Sequence, residues 1–193
     1  TDLFFHLGGV NRGPDEAILN GNIIATSRLL ESILNFGKSS ARLVFASSSQ
    51  VYHLANSPTP IRETKKINPD TIYGISKQSA ENLIRVSGLP FAILRLANVY
   101  GPGCRPNYNS VVATLCSRAV NNLPLMINGE GRQGRDFIYI DDVVRAFVLA
   151  GFEPLSGAGN IFNVSSGETV SIKKIVSQIG RVHKNTKVEF LTD

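Results

Sequence analysis

The chain has 193 residues, room for one domain or for one domain with a small lobe, and its 42% hydrophobic and 18% charged content is that of an ordinary globular protein. The formal net charge of +5 is spread along the chain, which excludes a basic nucleic-acid tract and points to a surface or pocket that favours an anionic ligand. No apolar run reaches membrane-spanning length, no signal-peptide pattern is present, and Cys104 and Cys116 are too few for a disulfide framework or a zinc site, so a reducing cytoplasm is the expectation.

Leu3-Phe4-Phe5-His6-Leu7 reads as a short buried strand that runs into a tight loop at Gly8-Gly9. From Asp15 to Phe36 apolar residues recur at helical spacing, and Gly37 closes the helix. Arg42 to Ala46 reads as a second buried strand, with Ser47-Ser48-Ser49 at its carboxyl end. Asn56 to Asp70 is rich in Pro, Thr and charge and reads as an exposed loop. Thr71 to Val86 reads as a helix, and Phe91 to Leu96 as a third buried strand. This alternation predicts parallel strands with right-handed crossovers.

After Tyr100-Gly101-Pro102-Gly103 the pattern predicts a helix from about Ser110 to Val120 and a strand at Leu125–Ile127. A strand at Asp136–Ile140 follows, then a helix N-capped by Asp141 and running to Ala150. A strand at Asn160–Val164, a helix from Ser171 to about Val182 and a last strand at Val188–Leu191 complete the chain. The expected fold class is α/β, a doubly wound parallel sheet over residues 1–103, with a smaller lobe over 104–193 interleaved with it.

Tyr73 and Lys77 stand four residues apart, on one face of their helix and one turn apart. A lysine ammonium there favours the ionised form of a nearby phenol, which can then take a proton from an alcohol, and a serine can bond the same oxygen. The pair alone also fits an ordinary helix surface. In open α/β sheets, however, ligands bind beyond the carboxyl ends of the strands. Gly8-Gly9-Val10-Asn11, Ser47-Ser48-Ser49 and Asn98-Val99-Tyr100-Gly101-Pro102 all fall at such ends.

These blocks, with Asn22-Ile23-Ile24-Ala25-Thr26, Tyr73-Gly74-Ile75-Ser76-Lys77, Gly129-Glu130-Gly131-Arg132-Gln133-Gly134-Arg135-Asp136-Phe137 and Phe162-Asn163-Val164-Ser165-Ser166-Gly167, resemble in order those of the extended short-chain dehydrogenase/reductases, the NAD-dependent sugar-nucleotide epimerase/dehydratase family. The resemblance implies a Rossmann-like NAD(P)-binding domain with a C-terminal substrate lobe. It makes Tyr73 the base and acid, and gives Lys77 the task of lowering its pKa and holding the nicotinamide ribose. Ser48 takes the catalytic serine position and Ser47 the cofactor-facing one. Leu7, Gly8, Gly9, Val10 and Asn11 would contact the adenine-side ribose and the pyrophosphate. Asn22 would bond backbone near the catalytic groups or the cofactor. Asn98 and Arg135 would meet the sugar or its diphosphate, although Asn98 also suits a turn and Arg135 a plain surface site.

The family's opening Gly-x-x-Gly-x-x-Gly turn has no counterpart in the sequence, and the chain starts with Thr rather than Met. The middle of a longer enzyme is therefore expected, with NAD as cofactor and NADP not excluded. Ser49 and Gln50 occupy the places where dehydratases of the family carry Asp-Glu, which argues against elimination of water. The implied function is that of a UDP-hexose 4-epimerase-like enzyme on a nucleotide-sugar substrate. A decarboxylase, reductase or dehydratase of the family, and a non-catalytic binding relative or inactive fragment, are the alternatives. The resemblance also implies a cytoplasmic homodimer formed through helices 15–36 and 71–86.

Overall fold

The computed structural model describes residues 3–38, 40–53, 60–154, 157 and 159–191. The part of the expected exposed loop that covers residues 56–59 lies outside them. In order, the chain forms β1 (Leu3–His6), α1 (Asp15–Leu19), a π-helical turn (Asn20–Ile24), α2 (Ala25–Phe36), β2 (Arg42–Ser48), a 3-10 turn (Ser49–Val51), α3 (Ile72–Val86) and β3 (Phe91–Leu96). It continues with β4 (Asn98–Tyr100), α4 (Val111–Val120), β5 (Leu125–Asn128), β6 (Gly134–Tyr139), α5 (Ile140–Phe152), β7 (Gly159–Val164), β8 (Thr169–Ser171), α6 (Ile172–Val182) and β9 (Val188–Leu191).

Two compact units result. The first comprises Thr1–Ala97 and Asp141–Val164, and its sheet has the order β1-β2-β3-β7 with every pair parallel. β2 and β3 are almost entirely buried, which is why they read as unbroken apolar runs rather than alternating ones. Leu30 and Ile33 of α2, Ala80 and Ile84 of α3, and Leu43, Phe45 and Ile93 of the sheet share one core. Residues 141–164 return to this unit because β7 pairs with β3 from Phe91↔Gly159 to Leu96↔Val164.

The second unit comprises Asn98–Ile140 and Ser165–Asp193. It holds β4 parallel to β6, β6 antiparallel to β8, and β5 parallel to β9. Leu115, Leu125, Ile127, Ile172 and Ile175 form its core.

Three helix starts follow the side-chain cap rule: Thr71, Ser110 and Ser171 accept from the amides of Gly74, Ala113 and Lys174 at 3.0, 3.3 and 3.2 Å. Other expectations need correction. The helix expected from Asp15 to Phe36 is interrupted by the π turn, which turns Asn22 inward, where it is 2% exposed. Asp141 is not an N-cap, since α5 already starts at Ile140; it lies in the first turn, where its charge still suits the helix dipole. α5 runs two residues past Ala150, and Arg42 Nη1 donates to the carbonyls of Gly151 and Glu153 at 3.1 and 2.8 Å. β2 extends to Ser48 rather than Ala46, and β4 and β8 carried too little pattern to be expected.

Candidate active site

The first unit gathers its polar side chains at the carboxyl end of its sheet. β2 delivers Ser48 there, and the 3-10 turn that follows folds back so that Ser48 Oγ accepts from the Gln50 amide at 3.2 Å. α3 starts over this turn. Its approach is possible because residue 74 is glycine: a Cβ there would lie 2.3 Å from the Gln50 carbonyl oxygen. Tyr73 thereby starts the helix close to the Ser48 side chain, whose hydroxyl favours the ionised phenol.

Lys77 follows one turn later and is 4% exposed. Its ammonium donates to the Ala46 carbonyl at 2.9 Å, lies 4.8 Å from the centroid of the Phe45 ring, and is 5.9 Å from that of Tyr73. Burial lowers the Lys77 pKa to about 8, against the pull of the Glu81 carboxylate in the opposite direction. Lys77 is therefore still mainly cationic at neutral pH. Burial also raises the Tyr73 phenol above its ordinary value, and the Ser48 hydroxyl only partly opposes this. In the free chain the net position of the phenol is set by burial. The ammonium is committed to Ala46, and desolvation of the half-buried ring dominates.

The loop after β1 closes the other side. Asn22, from the π turn, accepts from the Val10 amide at 2.8 Å and donates to the Val10 carbonyl at 2.7 Å. The same amide group donates to Ser76 Oγ at 2.8 Å, so one side chain ties the loop to α3. Two glycines make that fit possible. A Cβ at Gly21 would sit 2.5 Å from Val10 Cγ2, and one at Gly9 would sit 2.7 Å from Asn22 Oδ1 and 3.0 Å from Lys77 Nζ. Gly8 has open space beside it, and Leu7 is exposed. Asn11 Oδ1 is buried without a hydrogen-bond partner, an acceptor left for something other than protein.

Ser48, Tyr73, Lys77, Gly9, Val10 and Asn22 thus form one cluster. Ser47 does not face into it: its hydroxyl donates to Glu81 Oε1 at 2.5 Å and the residue is 3% exposed. Strand alternation sends it a different way from Ser48. Asn98 and Arg135 belong to the second unit. Asn98 Nδ2 donates to the Asp136 carbonyl at 2.9 Å, and Arg135 is exposed on β6. His6 is bonded through Nε2 to Thr26 Oγ1 at 2.8 Å, and Thr26 donates to the Asn22 carbonyl at 2.6 Å.

Sequence reasoning missed Glu81 and Arg95. Arg95 donates to both Glu81 oxygens, at 3.0 and 2.6 Å, and the two are 2% and 1% exposed. The signal was a lone arginine inside the buried run Leu94-Arg95-Leu96, which demands a buried partner.

A parallel α/β sheet with a polar cluster beyond its carboxyl edge is a Rossmann-type arrangement. The chain belongs to the NAD dependent epimerase/dehydratase family, whose model matches residues 2–165. It is 33% identical over 97% of its length to a UDP-2-acetamido-2,6-beta-L-arabino-hexul-4-ose reductase of Pseudomonas aeruginosa, covering 46% of that protein. It is 33% identical over 90% of its length to a UDP-glucuronate 4-epimerase of Thermodesulfobacterium geofontis, covering 53% of it. Among solved structures, MoeE5 in complex with UDP-glucuronic acid and NAD superposes with a TM-score of 0.89 at 28% identity, over 99% of this chain and 66% of that one. The UDP-glucuronic acid 4-epimerase of Bacillus cereus, in complex with UDP-glucuronic acid and NAD, gives a TM-score of 0.86 at 29% identity, over 100% of this chain and 63% of that one. The chain spans about half the length of the curated relatives it matches.

Proposed function

We propose that the protein is an NAD-dependent nucleotide-sugar 4-epimerase in which Tyr73 exchanges a proton with the reacting sugar hydroxyl. The observation that carries this reading is the convergence of Ser48, Tyr73 and Lys77 at the carboxyl edge of the sheet, with Lys77 Nζ 5.9 Å from the Tyr73 ring and bonded to Ala46 of the strand that presents Ser48. Tyr73 removes the hydroxyl proton, and Ser48 hydrogen-bonds the same oxygen and orients it. Lys77, cationic at neutral pH, favours the phenolate and contributes a donor to the nicotinamide ribose. NAD, when bound, would supply reversible hydride transfer at the sugar carbon. The residues present fit such a group: Gly9 leaves a bare backbone beside Lys77, Gly8 leaves open space, and Asn11 offers an unpaired buried acceptor. Leu7, Val10 and Asn22 complete that loop face.

Family relatives that are UDP-sugar 4-epimerases support the epimerase reading, as does the absence of an Asp-Glu pair at Ser49-Gln50. A reductase on a nucleotide-linked keto sugar is the second reading, favoured by the likeness to the Pseudomonas aeruginosa reductase. In both, residues 1–103 would chiefly serve the cofactor and 104–193 the substrate, with Asn98 and Arg135 meeting sugar or diphosphate.

A homodimer through helices 15–36 and 71–86 belongs to the same proposal, supported by exposed Leu34, Phe36, Ile75 and Val86 along them. A cytoplasmic location is supported by the free thiols of Cys104 and Cys116. No helix among the described residues is long and apolar enough to cross a membrane. The test is incubation of the complete protein and NAD with UDP-, GDP- and dTDP-hexoses, followed by proton NMR of the sugar. Appearance of the C4 epimer supports the proposal. A product that forms only with added reduced cofactor favours the reductase.

A further inference from the structure

A polar row lies across three strands of the first unit. Ser47, Arg95 and Asn163 are neighbours in register, Ser47↔Arg95 and Arg95↔Asn163. All three connect through Glu81 or Tyr52. Ser47 donates to Glu81 Oε1, and Arg95 donates to both Glu81 oxygens. Arg95 Nη1 also donates to the Tyr52 hydroxyl at 2.6 Å, and that hydroxyl donates to Asn163 Oδ1 at 2.9 Å. Asn163 Nδ2 in turn donates to the Ile61 carbonyl at 2.8 Å. Ser47, Tyr52, Glu81 and Arg95 are each no more than 3% exposed.

Ser47 and Tyr52 bracket the segment Ser48–Val51. Both are tethered to one carboxylate, Ser47 directly and Tyr52 through Arg95. That carboxylate is on α3, one turn beyond Lys77 and two beyond Tyr73. The tethers therefore fix the distance between the turn that presents Ser48 and the helix that presents its partner phenol. A buried ion pair of this kind contributes little net stability against an apolar substitute, so a specific geometric role is a better account of it. We propose that Glu81 is a positioning residue that, through Ser47 and through Arg95–Tyr52, holds the Ser48 turn in register with Tyr73 and Lys77.

The role deepens the epimerase reading and rests on it only for the rate measurement. Tyr52→Phe and Ser47→Ala cut one tether each and leave the Glu81–Arg95 pair intact, so they are the variants least able to unfold the chain. Glu81→Gln removes the shared anchor. The first readout needs no activity: the Tyr73 phenol is titrated by NMR of ring-labelled tyrosine, with Tyr73→Phe for assignment. The titratable group facing it is Lys77 and, beyond Lys77, His6 and Glu81 with Arg95.

Each tether variant is expected to raise the Tyr73 midpoint, because the turn that holds the Ser48 hydroxyl near the phenol is loosened from α3. In the complete enzyme, each is expected to lower kcat about ten- to a hundredfold at nearly constant KM, as misplacement of a reacting group does. Folded Tyr52→Phe and Ser47→Ala proteins that titrate at Tyr73 as the parent does, and turn over at its rate, would overturn the proposal and leave Glu81 a purely structural residue. If the parent itself epimerises nothing, the functional reading fails, while the Tyr73 titration still decides the positioning role.

Discussion

Lys77 Nζ donates to the carbonyl oxygen of Ala46 at 2.9 Å, so the ammonium of α3 is anchored to the strand from whose end Ser48 projects. That bond, made in a buried setting, is what separates Lys77 from a surface lysine.

Lys77 should titrate near pH 8, well below the ordinary lysine value of 10.5. Competitive amine acylation read by mass spectrometry is expected to show half-maximal reactivity of Lys77 near pH 8 after correction for access. Because the folded state holds this proton less tightly than the unfolded one, it binds fewer protons between about 8 and 10.5. This group therefore makes stability rise with pH through that window, by about 3 kcal/mol in all, and its cost is fully present below about 8.

Gly74→Ala should destabilise the fold by about 1–3 kcal/mol, since the new methyl meets the Gln50 carbonyl oxygen and neither backbone can yield alone. Urea unfolding measures the loss. The substitution suits an ordinary helix interior, so a stabilised variant would mean that α3 does not approach the 3-10 turn as described.

Asn22→Ala should cost about 2–4 kcal/mol, as it leaves the Val10 amide and carbonyl and the Ser76 hydroxyl without their shared partner. Hydrogen exchange at the Val10 amide is expected to speed up, and NAD affinity to fall with the loosened loop. Unchanged exchange at Val10 would place the loop's support elsewhere.

Arg42→Met should lower stability by about 1 kcal/mol, because the last carbonyls of α5 lose their donor while the apolar stem is kept. A thermal melt of the two proteins measures this directly.

Much of this architecture was legible in the sequence. Phe91–Leu96 and Thr71–Val86 are plain because a buried parallel strand is apolar throughout and a threonine cap marks a helix start. The π turn was not legible, since Asn22 is drawn inward by the backbone of Val10, a tertiary contact that leaves the local periodicity almost intact. The direction of Ser47 was not legible because the sequence pattern ends the strand at Ala46. Two further residues of strand make Ser47 and Ser48 alternate, and Glu81 then captures Ser47. Arg95 could have been recognised as half of a pair from its apolar neighbours, but no spacing rule points from it to Glu81.

The central claim is that Tyr73 is the proton-transferring group of a nucleotide-sugar enzyme, and the Tyr73→Phe variant of the complete protein tests it most directly. With NAD and the accepted UDP-hexose, the account predicts a loss of turnover of at least about a hundredfold, with NAD binding retained. A Tyr73→Phe enzyme that epimerises its substrate at the parent rate would contradict the account.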